Sequence, residues 1–452
     1  MRFNSISIRN MRLIGKDPLH VEFDRDKNVV ILLGDNGLGK TTILDAMATA
    51  MAPFPAQFPG VQDYQLSELD VHINERGRRS GYLEVKSWIE CEDELVRSFR
   101  YRKGTASAPK SNYEELKRIA FKKRESILGG ENDVQLPVFA YYGTGRGQFK
   151  VPERKRGFQR TFERWDCYKS AINPETDFKR FFGWYDLMED EERRERQRRR
   201  DFDYQSPVLQ AVRTALSEFV PSCKNPRIET RPLRFVMDKV NEDGSCQELR
   251  IEQMSDGYKI VIAMVADLAA RMAEANPDME NPLQTTGIVL IDEVDLHLHP
   301  KWQREIIAQL SSVFSNIQFI VTTHSPVIVI GAVGIAQLVN LNNLDSMASN
   351  EHDEELYGED MDDLLTDMTK SDIGSVLLSS FFELPTLQSP QWDDSIRERD
   401  RLLSKTELSK HDAERLQALD RELEGLSSLP SSSSVRSDVL MEKLARQLNI
   451  KL

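Results

Sequence analysis

The sequence predicts an α/β protein centred on a parallel sheet with helices on its faces. Three features carry that prediction. Asn28-Val29-Val30-Ile31-Leu32-Leu33 is a short apolar run ending in a glycine loop, with a helical pattern from Thr41 to Met51 behind it. Gly287-Ile288-Val289-Leu290-Ile291 is a second apolar run, followed by Trp302, Ile306, Leu310 and Val313 at amphipathic-helix spacing. Ile317-Gln318-Phe319-Ile320-Val321 is a third. Short apolar runs alternating with helical segments are the pattern of buried strands in β–α–β units.

The remaining elements follow in order. The chain opens on strands, with Phe3, Ile6 and Ile8 apolar and Val21 and Phe23 alternating around Glu22. The helix from Thr41 places Ile43, Met47 and Met51 on one face. Residues 81–103 alternate like strands, and Asn112–Leu128 reads as a helix. Residues 146–245 hold a basic stretch and then Glu189–Arg200, with five acids and six arginines in twelve residues. That segment reads as a solvated helix held by i,i+4 ion pairs, each contributing about 0.3–0.5 kcal/mol. Ile260 to Met272 is a helix that leads back into strand–helix alternation. Beyond about residue 345 an acidic region gives way to helical segments. Leu416, Leu419, Leu423 and Leu426 follow a capping box at Ser409 and Asp412. Leu440, Leu444 and Leu448 mark a second helix, separated from the first by the serine-rich break Ser427–Ser434.

Composition narrows the function classes. A chain of 452 residues is too long for one compact core. Charged residues at 29% and hydrophobic residues at 40% fit a soluble globular protein. No run of 18 apolar residues is present, and the first residues lack the apolar centre of a signal peptide. Cys91, Cys167, Cys223 and Cys246 are scattered without metal or disulfide spacing. The expected setting is the cytoplasm, with no membrane partner. A net charge of −13 argues against a protein coated by nucleic acid. The charge is uneven, however: Arg146 to Arg164 holds seven Lys or Arg against two Glu, and Asp345 to Asp372 eleven acids against one Lys.

Gly34-Asp35-Asn36-Gly37-Leu38-Gly39-Lys40-Thr41 matches G-x-x-x-x-G-K-[ST] between a predicted strand and a predicted helix. Its glycines let backbone N–H groups turn around an anion, and the helix start adds its dipole. Lys40 supplies charge for the β- and γ-phosphates, and the Thr41 hydroxyl can hold Mg²⁺. Asn36, Gly37, Gly39, Lys40, Thr41 and the adjoining Thr42 are therefore the expected ATP-binding residues. Asp292-Glu293 follows the strand Gly287–Ile291, so Asp292 can hold the metal while Glu293 polarises the attacking water. His324, directly after the next strand, can hydrogen-bond the γ-phosphate. Ser255 precedes the helix of residues 260–272. It is either a plain N-cap or, with the Gly257 backbone, an anion site. Within one subunit the phosphate loop already holds the nucleotide, so that anion would be a second ATP brought by a second copy.

Together these elements resemble the ATP-binding-cassette superfamily, in the branch that includes chromosome-maintenance and OLD ATPases. Met254-Ser255-Asp256-Gly257-Tyr258 is similar to its signature motif and Asp292-Glu293 to Walker B with the catalytic glutamate. Asp295, in Val294-Asp295-Leu296-His297-Leu298-His299-Pro300, resembles the D-loop residue, and His324 the switch histidine. Asn10-Met11-Arg12 falls where relatives carry an Asn-aromatic-Arg element near the nucleotide, which assigns Asn10 and Arg12 to it, with Met11 departing from the pattern. No clear Q-loop glutamine is present; Asp70, in Ser67-Glu68-Leu69-Asp70-Val71, is the candidate for that position and for a metal contact. Tyr141-Tyr142-Gly143-Thr144-Gly145-Arg146 and the His-Leu-His-Pro run narrow the resemblance to free-standing bacterial ATPases such as the PtuA-type ATPases of Septu and retron anti-phage systems.

The resemblance implies an ABC-ATPase fold: an N-terminal lobe at 1–145, a helical and basic insertion at 146–245, a C-terminal lobe at 246–344, and an acidic segment with a partner-binding helical tail at 345–452. It implies a homodimer holding ATP and Mg²⁺, with Ser255, Gly257 and Asp295 acting across the interface. It also implies an HNH-type nuclease partner and, in retron members, a reverse transcriptase with its RNA–DNA product. About 128 residues follow His324, without the Glu-Gly step or Asp-x-Asp of a Toprim nuclease, so the chain is expected not to cut nucleic acid itself. A DNA-repair or chromosome-maintenance ATPase and a nucleotide-bound scaffold with little hydrolysis are the alternatives. Tyr141–Arg146 reads either as a strand end with a glycine turn or as a route for Arg146 to phosphate. Lys150, Arg154, Lys155, Arg156, Arg160 and Arg164, interleaved with Phe149, Phe158, Phe162 and Trp165, suit either nucleic-acid binding or an amphipathic helix. If Arg154, Lys155 and Arg156 contact phosphates, replacing all three with Glu weakens binding of an oligonucleotide and flattens its salt dependence; an unchanged slope in an anisotropy titration refutes the contact.

Overall fold

The computed structural model describes residues 1–147, 161–343 and 373–426, apart from 93, 132, 175–177, 231, 242, 380–381, 383–386, 406–408 and 424–425. The basic run from Lys150 to Arg160, the acidic stretch Asp345–Asp372 and the second leucine-spaced helix lie outside them. The chain forms two units, Met1–Thr369 and Lys370–Leu452.

The first unit begins with β1 (Arg2–Arg9), β2 (Leu19–Glu22), β3 (Val29–Leu33) and α1 (Lys40–Met51). β4 (Tyr82–Cys91), β5 (Glu94–Lys103), α2 (Glu114–Leu128) and β6 (Val138–Tyr142) follow. Next come α3 (Phe178–Arg199), α4 (Pro207–Phe219), β7 (Cys223–Thr230), β8 (Leu233–Val240) and β9 (Cys246–Arg250). The last elements are α5 (Asp256–Ala275), β10 (Gly287–Ile291), α6 (Pro300–Val313), β11 (Ile317–Thr322), α7 (Pro326–Ala332) and β12 (Ala336–Asn340).

The α/β expectation holds. Five strands in the order β12-β3-β11-β10-β6 pair in parallel throughout. Every residue of β3, β6, β10 and β11 is buried, which is why those runs are apolar without alternation. A second sheet, β2-β1-β4-β5, is antiparallel. Buried Gln318 of β11 links the two: its side-chain carbonyl accepts the Phe3 N–H at 2.7 Å and its amide donates to the Phe3 carbonyl at 3.1 Å. Helix α1 packs against strands of both sheets, so it is buried on all sides rather than on the one face its spacing suggested. Thr41 alone among its residues is not buried.

The insertion departs from the helical expectation. Helices α3 and α4 are followed by a three-stranded antiparallel sheet, β7-β8-β9, which runs past the expected boundary at residue 245. Leu233, Phe235 and Met237 of β8 are buried, and Phe235 packs edge-on against Phe181, Phe182 and Tyr185 of α3. The charged half of α3 makes the expected i,i+4 pairs, Glu192–Arg196 at 2.8 Å and Glu195–Arg199 at 3.1 Å. It is not wholly solvated, however. Glu192 is buried, accepts both arms of Arg213 from α4 and receives the Ser206 N–H, so it joins two helices. Arg164 donates to the carbonyls of Ala275 and Val134, which engages it within the fold.

In the second unit the Ser409–Asp412 capping box opens the helix Lys410–Glu422. Leu416 and Leu419 pack with Leu402 and Leu403 of the helix Asp393–Leu403. Among the described residues no helix is long and apolar enough to cross a membrane.

Buried Glu189 of α3 has its pKa raised to about 7 by desolvation, against the Ile228 N–H and Arg193, which lower it. The folded protein therefore holds a proton there that the unfolded chain loses above pH 4.5, and stability falls as pH rises toward 7. Glu189→Gln is expected to be near neutral at pH 5 and to raise the thermal midpoint by roughly 2–4 °C at pH 8, read by calorimetry.

Candidate functional site

The carboxyl ends of β3, β11, β10 and β6 lie side by side, and a loop singled out in the sequence follows each. Ligands of open parallel sheets bind along this edge.

After β3, the phosphate loop bends through Gly34, Gly37 and Gly39 at φ of 148°, 92° and 88°, a region that glycine occupies without steric cost. Gly39 directly precedes α1. The Lys40 ammonium donates to the Gly34 carbonyl at 2.7 Å and the Asp35 carbonyl at 3.0 Å, so it lies across the loop. Burial lowers its pKa, and the Asp292 charge works against that shift. Asn36 is exposed, while Thr42 is buried behind the loop. Asn342, just past β12, accepts the Asp35 N–H at 3.1 Å and braces the loop from the other side.

The acidic pair after β10 is tied to both neighbouring strands. Thr41 donates its hydroxyl to one oxygen of Asp292 at 2.9 Å, and Thr322, at the end of β11, donates to the other at 2.7 Å. The Glu293 N–H donates to the same Thr322 hydroxyl at 2.7 Å. Glu293 has φ 47°, left-handed for a residue with a side chain. Asp295 accepts a hydrogen bond from Thr323, and His324 is exposed immediately beyond it. Among the described residues no three His, Cys, Asp or Glu side chains gather as a metal cage. Thr41 and Asp292 still fit Mg²⁺: they are hard oxygen donors from two elements, and this ion usually keeps water and phosphate for its remaining positions.

The signature segment opens α5. Ser255 is exposed and its hydroxyl makes no capping bond, so the simple N-cap role is not used. A methyl group added to Gly257 would stand 2.6 Å from the His297 carbonyl, so only glycine permits this contact with the loop after Asp295. Tyr258 packs edge-on against Trp302 of α6, ring centroids 4.4 Å apart. Further along α5, Asp267 accepts the Tyr142 hydroxyl at 2.9 Å and pairs with buried Arg271 at 2.8 Å. Tyr141 reaches the opposite way, donating to Asp45 of α1 at 2.9 Å.

Asn10 and Arg12 lie in the turn between β1 and β2, both with positive φ. Ile14 of that turn approaches the Gly39 position, 3.6 Å from where a Cβ would sit. The Asn10 side chain, however, donates to the Tyr82 carbonyl at 2.9 Å, and Arg12 bridges Asp45 and Asp70. Burial works to lower the Arg12 pKa, but the two carboxylates raise it. Asp70 needs correction as a metal and Q-loop candidate. One of its oxygens pairs with Arg12, and the other accepts the Ser67 N–H and hydroxyl at 2.7 and 2.8 Å in a capping box. Sheet order explains the miss. The strand beside β10 is β6, so the loop adjoining Asp292 is Gly143–Gly147 rather than the segment around Asp70. Arg146 of that loop is buried and donates to the carbonyls of Asp292 and Glu293. The turn is therefore tied to the acidic pair through main-chain oxygens. Thr322 is thus the residue the sequence left unmarked, and the tie of Arg146 to the acidic pair is the contact it left out; only strand adjacency could have found them.

The family described as "AAA domain, putative AbiEii toxin, Type IV TA system" matches residues 29–330, and the chain belongs to it. It is homologous to the "Retron Ec83 probable ATPase" of Escherichia coli, 29% identical over 386 residues, covering 72% of this chain and 69% of that one. The "Retron Vc95 probable ATPase" of Vibrio cholerae serotype O1 biovar El Tor is 29% identical over 372 residues, covering 71% and 70%. The "Septu protein PtuA" of Bacillus mycoides (strain KBAB4) is 43% identical over 96 residues, 21% of this chain and 13% of that one. Among solved structures, an SMC head bound to the C-winged helix domain of ScpA is similar at TM-score 0.46 and 15% identity, covering 74% of this chain and 93% of that one.

Thr322→Val removes the hydroxyl that serves both Asp292 and Glu293. An unpaired buried acceptor costs about 1–3 kcal/mol. Steady-state turnover of ATP is expected to fall roughly 10–100-fold on that scale. Turnover within a factor of about two of the parent would show that the strand end holds itself.

Proposed function

We propose that this member of the AAA family is an ATPase of the retron and Septu defence type. Two copies close around two ATP molecules, and closure regulates a separately encoded nuclease of HNH type. The observation that carries the ATPase reading is the 2.9 Å contact between Thr41 and Asp292, which brings the phosphate loop to the acidic strand end with Glu293 as the next residue. The retron and Septu relatives support the defence setting.

In this reading Lys40 exchanges its loop carbonyls for phosphate oxygens, and the loop N–H groups hold the rest of the triphosphate. Thr41 and Asp292 would hold Mg²⁺, which would offset the negative charge of the triphosphate. Glu293 orients a water molecule in line with the γ-phosphorus and takes its proton, and ADP leaves with the bridging oxygen. His324, exposed at the end of the neighbouring strand, hydrogen-bonds the γ-phosphate. The exposed Ser255 hydroxyl and the α5 N-terminus face the second copy's triphosphate, with Asp295 acting beside them. Closing and opening then shift the partner nuclease between two states.

Glu293→Gln is expected to bind ATP, to lose turnover by about 10²–10⁴-fold and to elute as a closed dimer with ATP. Ser255→Arg is expected to bind ATP and remain open. Parent-level turnover in Glu293→Gln overturns the base assignment, and an ATP-dependent dimer of Ser255→Arg on size-exclusion chromatography overturns the shared site.

A further inference from the structure

We propose that Arg146 is a positioning residue for ATP hydrolysis: its guanidinium fixes the backbone that carries Glu293 and so sets where that carboxylate stands. The inference rests on the reading of Glu293 as the base.

Arg146 is 3% exposed. Its guanidinium donates to the Gly143 carbonyl at 3.0 Å and to the carbonyls of Asp292 and Glu293. Its hydrogen bonds therefore go to main-chain oxygens rather than to a carboxylate. Desolvation lowers its pKa to about 10, although Asp292, Asp295 and Glu293 act to raise it. A cation buried in this way is costly, so the contacts it makes need a compensating role.

Glu293 supplies one. A left-handed residue with a side chain costs about 1–3 kcal/mol and persists only where its surroundings hold it. Here both peptide planes flanking the Glu293 Cα are held at both polar atoms. In the peptide between 292 and 293, the Asp292 carbonyl accepts from Arg146 and the Glu293 N–H donates to the Thr322 hydroxyl at 2.7 Å. In the next peptide, the Glu293 carbonyl accepts from Arg146 and the Val294 N–H donates to the Thr322 carbonyl at 2.9 Å. Thr322 thus holds the N–H side of both planes and Arg146 the carbonyl side of both. Fixing two consecutive planes fixes φ and ψ between them, and with them the direction of the Glu293 side chain. The planar fork of arginine spans two successive carbonyls, whereas the ammonium of lysine is a point charge on a flexible stem. The sequence places this group at the end of β6, beside β10, where the fork can reach across.

The test compares Arg146→Lys, Arg146→Gln, Glu293→Gln and the double variant Arg146→Lys/Glu293→Gln in the full chain. ATP affinity is read by titration with a fluorescent ATP analogue, and kcat by phosphate release. Both Arg146 variants are expected to lower kcat roughly 10–100-fold while leaving affinity within about threefold, the signature of an interaction lost only in the transition state. In the Glu293→Gln background the Arg146→Lys change is expected to cost less than about threefold more, because a residue acting through another is not additive with it. Parent-level kcat in both Arg146 variants, affinity lost in step with kcat, or a full additive loss in the double variant would overturn the proposal. Failure of the underlying reading shows separately, as undiminished turnover in Glu293→Gln with Arg146 intact.

Discussion

The Asp292 carboxylate is buried at the end of β10, and its two oxygens are filled from opposite directions. One bond comes from Thr41, 251 residues earlier in the chain; the other comes from Thr322, 30 residues later. A buried carboxylate without partners would be costly, so these two hydroxyls hold three strand ends together. The phosphate loop, the acidic pair and His324 hang from those ends. Because β11 lies between β3 and β10, Thr322 stands between the other two contributors. The spacing of the site therefore follows from sheet order and from one shared side chain.

A second organising element is the strand β6. Its two final tyrosines point to different neighbours: Tyr141 to Asp45 in the helix behind the phosphate loop, Tyr142 to Asp267 in the helix behind the signature. The loop that follows carries Arg146 to the acidic pair. Three motifs far apart in sequence thus meet at one strand end through buried polar contacts. Such contacts favour one arrangement, since an alternative packing strands further buried polar groups, although one Asp267 oxygen has no hydrogen-bond partner among the described residues. The apolar face of the sheet, tolerant of repacking, could not provide that discrimination by itself.

The elements legible in the sequence were those whose chemistry is local. The phosphate loop, the buried strands, the acidic pair and the Ser409 capping box depend on neighbours within a few residues. What escaped depends on adjacency between distant segments. In the sheet β7-β8-β9 the alternation is broken, with Phe235, Val236 and Met237 all buried in β8 and no buried residue in β9, and its lysines, arginines and acids blurred the apolar period further. Glu192 looked like one more surface acid in a charged helix, and its partner Arg213 is 21 residues away. Asp70 looked available for a metal because the residue it serves, Arg12, is 58 positions earlier. The tie of Arg146 to the acidic pair became legible only once β6 was known to lie beside β10.

The contact of Gly257 with the His297 carbonyl has a consequence for how two copies communicate. In the proposed dimer the signature segment serves the opposite nucleotide, while the loop holding His297 descends directly from the acidic pair that serves its own. The absent side chain lets these two loops touch with no flexible spacer between them, and the Tyr258–Trp302 contact adds a second seam. In that dimer a displacement of one subunit's acidic loop would be handed to its own signature, and through it to the other subunit's nucleotide. The two sites would behave less like independent engines than like a pair of scissors on one rivet, in which neither blade can be sharpened or blunted alone.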